Sequence, residues 1–152
     1  MKGMDLQTIV TNALAAERAE QMKTSPQLTL GELILKLEAV GNKELPVVFD
    51  VGKYHPTDID SWRGRYNELA LNYVTKGEPL SVRDITAFLR GTVGSIHTGY
   101  KGGDYLMGKT TPVWVANYGD SEGPRGNEDY TAMVDVREGE NRVILITAVL
   151  DG

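Results

Sequence analysis

Residues Thr29–Val51 read TLGELILKLEAVGNKELPVVFDV, and the change of period inside them decides the fold class. Thr29 and Glu32 form a T-x-x-E capping box, and Leu33, Ile34, Leu37 and Val40 then recur at helical spacing as far as Gly41. A helix stopped by glycine is predicted here. Beyond it, Glu44–Val51 (ELPVVFDV) is short, apolar, β-branched and bounded by turn formers, which predicts a strand near the centre of a sheet.

Working outward, Leu6, Ile9, Val10, Ala13 and Leu14 lie at helical spacing behind Asp5, so a helix is predicted over Asp5–Lys23. The TSPQ break at Thr24–Gln27 separates it from the rest, giving an N-terminal helical extension over 1–27 and a single α+β ligand-binding domain over 28–152. Gly52–Ser61 (GKYHPTDIDS) reads as a loop, and Trp62–Val74 as a strand with a bulge near Gly64 or Asn67. Ser81 with Asp84 opens a third helix carrying Val82, Ile85, Phe88 and Leu89 and ending at Gly91 or Gly94. Strands follow at Val113–Tyr118, Tyr130–Val136 and Arg142–Leu150, the last two joined as a hairpin through EGEN. Helices precede and interrupt strands without a regular βαβ alternation. The expected class is α+β, a mainly antiparallel sheet with helices packed on one face.

The chain has 152 residues, no cysteine and a formal net charge of -5. A chain of this size builds a core without staples, and the missing cysteines suit a reducing cytoplasm. The apolar run near the N-terminus is interrupted by Glu17, Arg18 and Glu20, which fits neither a signal peptide nor a membrane span. The acidic balance disfavours duplex nucleic acid, yet a few focused cations suffice for a small phosphorylated ligand.

Thr98–Asp120 (TGYKGGDYLMGKTTPVWVANYGD) is the stretch best suited to such a ligand. Glycines let backbone N–H groups approach an anion, Tyr100 and Tyr105 suggest a pocket, and Lys101 adds charge. Trp114 and Asn117 follow as an aromatic face and an amide for base and ribose. The loop lacks the G-K-[ST] ending of a Walker A motif, and it reads equally well as an irregular connection. Arg63 and Arg65 flank Gly64 on one face of a predicted strand, as two guanidinium forks for a pyrophosphate or as two solvated arginines. Trp62 reads as core before stacking platform. His55 and His97, the two histidines, form no H-E-x-x-H and read as surface or hydrogen-bonded residues, and no G-x-S-x-G elbow is present. Asp50, Asp58, Asp60 and Glu68 match no metal-ligand spacing and read as solvating charges or partners of arginines. No catalytic residue, metal or cofactor is expected.

The succession LGELILKLEAV, LPVVFDVGKYHP, DIDSWRGRYNELAL and HTGYKGGDYLMGKTTPVWVANYGDSEG resembles the Thoeris anti-defence sponge family of the first described type, over about Leu28–Val136. Its most specific pieces are SWRGRYNELAL, TGYKGGDY and TPVWVANYG. The resemblance implies a phage protein without enzymatic activity in the host bacterial cytoplasm. It would sequester the glycocyclic ADP-ribose signal of a bacterial TIR-domain sensor, and in some members a cyclic oligonucleotide at a second site, so blocking Thoeris and by extension CBASS immunity. It also implies a homo-oligomer, a dimer or a trimer of dimers, with pockets between protomers. Carried over, Asn117 would read ribose or base, Met107 would stand where an aromatic packs on adenine, and Arg125 or Arg137 would meet the pyrophosphate. A stoichiometric sponge at nanomolar affinity needs about -12 kcal/mol, more than exposed ion pairs supply, which calls for an enclosed pocket. Two other readings stay open: an enzyme acting on a phosphorylated nucleoside with a carboxylate near Arg63 as base, and a module inhibiting a host protein through Trp62, Tyr66 and Tyr73.

Overall fold

The capping box at Thr29 forms as its spacing predicts. In the structure, a computed structural model that describes residues 6–61, 68–98, 104–117, 124 and 130–150, Thr29 Oγ1 accepts the Glu32 N–H at 3.2 Å and Glu32 Oε1 accepts the Thr29 N–H at 3.0 Å. Helix α2 (Leu30–Glu38) stops before Gly41, with Ala39 as its C-cap. Lys43 caps this end, since Nζ donates to the carbonyls of Leu37, Glu38 and Val40, where a helix terminus runs short of backbone donors. Helix α3 (Val82–Thr92) begins at Ser81, whose Oγ accepts the Asp84 N–H at 3.1 Å. Gly91 continues that helix, and the chain turns away at Gly94, φ +85°. Helix α1 covers Leu6–Met22.

Eight strands are described: β1 (Val47–Phe49), β2 (His55–Ser61), β3 (Leu69–Val74), β4 (Ser95–Thr98), β5 (Asp104–Met107), β6 (Val113–Val115), β7 (Thr131–Glu138) and β8 (Val143–Val149). Six form a mixed sheet in the order β1-β8-β7-β6-β3-β2, parallel at β1/β8 and β3/β6 and antiparallel elsewhere, while β4 and β5 pair as a separate ribbon. The class is α+β. Three local expectations are corrected. β1 stands at the end of the strand order rather than near the centre, because its free side is met by non-strand neighbours: Val47 N–H donates to Leu80 O and Phe49 N–H to Tyr54 O. The GKYHPTDIDS text is largely strand β2, and Pro56 is tolerated there because β2 lies at the other end of the order. The glycine-rich text after α3 holds the β4–β5 ribbon, with Ile96 opposite Leu106. The predicted bulge at Gly64 or Asn67 falls outside the described residues.

Alternation along the strands divides the interior in two. Val47, Phe49, Leu69, Leu71, Val113, Val115, Val143 and Leu145 share one cluster with Leu30, Leu33 and Leu37 of α2 and Val82, Ile85 and Leu89 of α3. Burying each such side chain is worth roughly 1.5–3 kcal/mol. Trp114 points the other way, beside Ala70 and Ala132. These alanines are its cross-strand neighbours on β3 and β7, and their small side chains leave room for the indole.

β6 and β7 meet at one register position, Trp114 opposite Ala132, and then diverge around the chain entering α2. Leu28 fills the fork: its N–H donates to Met133 O at 2.7 Å, and its carbonyl accepts from Val113 N–H at 3.1 Å. Gly31 follows, its N–H on Lys109 O at 2.8 Å, where a Cβ would come within 3.0 Å of that same oxygen.

A buried polar chain joins α1 to this region. Trp114 Nε1 donates to Glu68 Oε1 at 2.8 Å, Arg18 Nε to Glu68 Oε2 at 3.2 Å, Arg18 Nη2 to Gln27 Oε1 at 2.7 Å and Gln27 Nε2 to Val113 O at 3.0 Å. Glu68 and Gln27 are 1% and 2% exposed, and the Arg18 guanidinium lies 6.0 Å from the indole centroid. Elsewhere Lys36 of α2 reaches Asp135 of β7 at 3.2 Å.

A double-mutant cycle on Arg18→Ala and Glu68→Gln is expected to give a coupling of about 1–3 kcal/mol in urea unfolding, because each single change strands a buried charged or polar partner. Additive effects would show that the pair does not act as a unit. The Asp135 carboxyl is held below the ordinary aspartate value, first by the hydrogen bond from Val136 N–H and then by Lys36. Its contribution is therefore present above the unfolded value and lost as pH falls through the folded one. Both partners are about half exposed, so wild type should exceed Asp135→Asn by at most about 1 kcal/mol at neutral pH, with the difference vanishing in acid; chemical denaturation across pH measures it.

Candidate functional site

Beyond the core-facing residues of β1 and β8, the alternate positions Val48, Ile144 and Ile146 form the apolar floor of a cleft of about 600 Å³. Its walls are the turns on either side of the β2–β3 pair, with Gly52, Lys53 and Tyr54 on one side and Thr75, Gly77 and Pro79 on the other. Asp50 holds the first turn against β8: its Oδ2 accepts the Thr147 N–H at 3.0 Å and its Oδ1 the Thr147 hydroxyl at 2.6 Å. Gly52 adopts φ +55°, and a Cβ there would lie 3.1 Å from the Tyr54 ring. The glycine thus lets the turn close over Tyr54, which meets Tyr73 edge-on at 4.8 Å between centroids.

Cations surround this floor. Lys53, Arg137 and Arg142 all line the cleft, and among the described residues none of them forms an ion pair. Arg137 is there because of a register shift in β7 between Met133 and Asp135. Met133 faces the core before the shift and Val136 packs against it afterwards, so the extra residue turns Arg137 to the cleft side, opposite Ile144. Three cations against the one carboxylate of Asp50 favour an anion, and the apolar floor suits a ligand with an organic body.

Of the residues singled out in the sequence, Asp50, His55 and Arg137 line the cleft, while Met107, Trp114 and Asn117 serve other parts of the fold. Met107 is fully buried in the core cluster, and its carbonyl accepts the Gly94 N–H at 2.7 Å. Trp114 is buried with its indole N–H on Glu68. Asn117, half-buried, accepts the Tyr73 N–H on Oδ1 at 2.8 Å and so completes the backbone pairing at the end of β3. None of these three lines the cleft. Arg63, Arg65, Tyr100, Lys101 and Arg125 lie outside the described residues, as do Trp62 and Tyr66. Of the carboxylates, Glu68 is an arginine partner, deeply buried, while Asp58 Oδ1 and Asp60 Oδ2 both accept from Asn72 Nδ2, at 2.6 and 3.0 Å.

His97 Nε2 lies 2.7 Å from Ser95 Oγ, a pair with the composition of a nucleophile and its base. Ser95 Oγ also lies 2.5 Å from Thr92 O, which can only accept. The hydroxyl proton therefore goes to Thr92, and His97 Nε2 is the donor to the oxygen, the reverse of what activation of serine requires. Among the described residues no three His, Asp or Glu converge as a metal site, and no helix is long and apolar enough to cross a membrane.

No protein-family model, curated protein or solved structure matches this chain. The cleft therefore stands on its own geometry. Sequence reading pointed to Arg137 only as one of two candidate pyrophosphate arginines and gave no role to Lys53 or Arg142, which lie far apart in sequence and are brought together only by the fold.

Gly52→Ala is expected to lose about 1–2 kcal/mol, the cost of a left-handed backbone for a residue with a Cβ, and to displace Tyr54. Thermal unfolding and the Tyr54 ring resonances report the two effects separately.

Proposed function

We propose that this chain binds and sequesters a small phosphorylated nucleotide signal without degrading it. The observation that carries the reading is the cleft of about 600 Å³ in which Lys53, Arg137 and Arg142 surround an apolar floor. None of the three forms a salt bridge among the described residues, so a ligand phosphate gains a charge-assisted bond without breaking an existing ion pair. The overall charge of -5 does not oppose this, because distant charges are screened beyond about 8 Å.

The resemblance to the Thoeris anti-defence sponges supplies the ligand class. In this reading the molecule is a phage anti-defence protein of the bacterial cytoplasm, its ligand is glycocyclic ADP-ribose, and a cyclic oligonucleotide occupies a second site. Copies of the chain assemble as a homo-oligomer, from dimer to trimer of dimers, which encloses a cleft that is open in one protomer. Helices α2 and α3 pack on one face of a mainly antiparallel sheet, and residues 1–27 form an added helical extension. Lys53, Arg137 and Arg142 contact the pyrophosphate.

Purified protein incubated with glycocyclic ADP-ribose, separated by ultrafiltration and then heated is expected to release the intact ligand at near-stoichiometric yield. Arg137→Ala and Arg142→Ala should each weaken retention by about tenfold or more, the loss of one charge-assisted bond. A degraded product would overturn sequestration, and an undepleted solution would overturn the ligand.

A further inference from the structure

Helix α1 has two unlike sides. At roughly 100° per residue, Arg18 and Met22 fall on one side, and both are half-buried, with Arg18 tied to Glu68 and Gln27. Leu6, Ile9, Ala13 and Ala16 fall on the other side, on average about 160° around the helix from Arg18. All four are exposed, Leu6 at 76% and Ile9 at 47%. Single exposed apolar residues are ordinary on a protein surface, whereas a contiguous stripe marks an interaction face. The stripe stops at Glu20 and Lys23, an ion pair that is largely exposed.

Steps of three, four and three residues are the pattern by which two helices pack side by side. The order of sizes selects how they do so, since large side chains occupy the first half of the stripe and alanines the second. A second α1 laid antiparallel, with Leu6 opposite Ala16 and Ile9 opposite Ala13, sets each large side chain against a small one and fills the seam evenly. Parallel pairing would crowd Leu6 on Leu6 and Ile9 on Ile9 and leave a gap between the alanines. Charge agrees with size. Parallel pairing aligns Glu17 and Glu20 with their own copies, while antiparallel pairing carries them to the N-terminal end of the other helix, where its dipole favours carboxylates. The stripe has no cation of its own, which a helix lying on an anionic membrane would need.

We propose that the outward stripe of α1 is a self-association surface that closes on α1 of a second copy as an antiparallel, two-fold pair. On the inward side Arg18 fixes the helix to its own domain, so the pair joins whole domains. Four side chains over about 15 Å of helix cover far less than the ~800 Å² per partner of a standard interface, so the contact is weak and concentration-dependent. The inference goes beyond the ligand reading: no described residue of α1 lines the cleft, and the pairing needs no ligand.

Sedimentation equilibrium of the full chain without ligand, from low micromolar to millimolar concentration, is expected to show reversible self-association. Ile9→Asp places a charge in the seam and should weaken it by about tenfold or more, while thermal unfolding stays as in the wild type because the residue faces away from the domain. The chain has no cysteine, so introduced thiols report the register directly. Ile9→Cys and Ala13→Cys proteins, mixed and mildly oxidised, are expected to form the mixed disulfide in excess of either homodisulfide, since the antiparallel register sets those two positions opposite each other. A chain that stays monomeric throughout, self-association untouched by Ile9→Asp, or homodisulfides in excess would each overturn the proposal. None of these outcomes bears on retention of a nucleotide by the cleft.

Discussion

A carboxylate shut away from water must be answered by donors, and Glu68 imposes that requirement on this molecule. Its two oxygens take the indole N–H of Trp114 from β6 and the guanidinium of Arg18 from α1. Arg18 continues to Gln27, and Gln27 to the backbone of β6, so one charge ties a helix, the approach to α2 and two strands into a single arrangement. The cost of desolvating such a charge is several kcal/mol, and the return is geometric: a buried ion pair of this kind tolerates few alternative packings. The alanines at 70 and 132 belong to the same device, since larger neighbours would leave no room for the indole that Glu68 holds.

Much of the fold was legible because its signals are local. The capping box at Thr29, the Ser81 cap and the hairpin of β7 and β8 through EGEN each involve residues close in sequence, and each formed. What escaped reading depends on long-range partners. β2 carries a proline and five polar residues among seven, which reads as loop until β3 supplies a pairing edge. The position of β1 is set by Leu80 and Tyr54, whose approach no local pattern announces. The helix end at Glu38 was assigned to Gly41 because the lysine that satisfies its carbonyls, Lys43, acts through a side chain rather than through backbone conformation.

The candidate site was less legible, and the register shift in β7 explains why. Simple alternation from Met133 would place Arg137 on the core side, where an arginine makes no sense, and would leave the cleft with one fewer cation. Only the doubled residue before Asp135 sends it outward. Lys53 and Arg142 likewise become a pair only when the turn after β1 and the start of β8 are brought to one floor. Glycine-rich and aromatic text drew attention to Thr98–Asp120, yet Met107 and Trp114 from that stretch serve the interior. Trp114, on a three-residue strand flanked by β3 and β7, has little freedom to do otherwise.

The fork at Leu28 has a kinetic consequence. The residues that fill it enter the sheet between β6 and β7, strands made from the far end of the chain. During synthesis α2 can form early through its own cap, yet its docking site does not exist until β7 has emerged. The chain therefore folds with high contact order, paying loop-closure entropy before its non-local pairings are rewarded, and belongs with the slower single domains. Until then the apolar stripe of α2 has no native cover, so the interval between emergence of Leu28 and emergence of Met133 is when this protein is most exposed to misassociation.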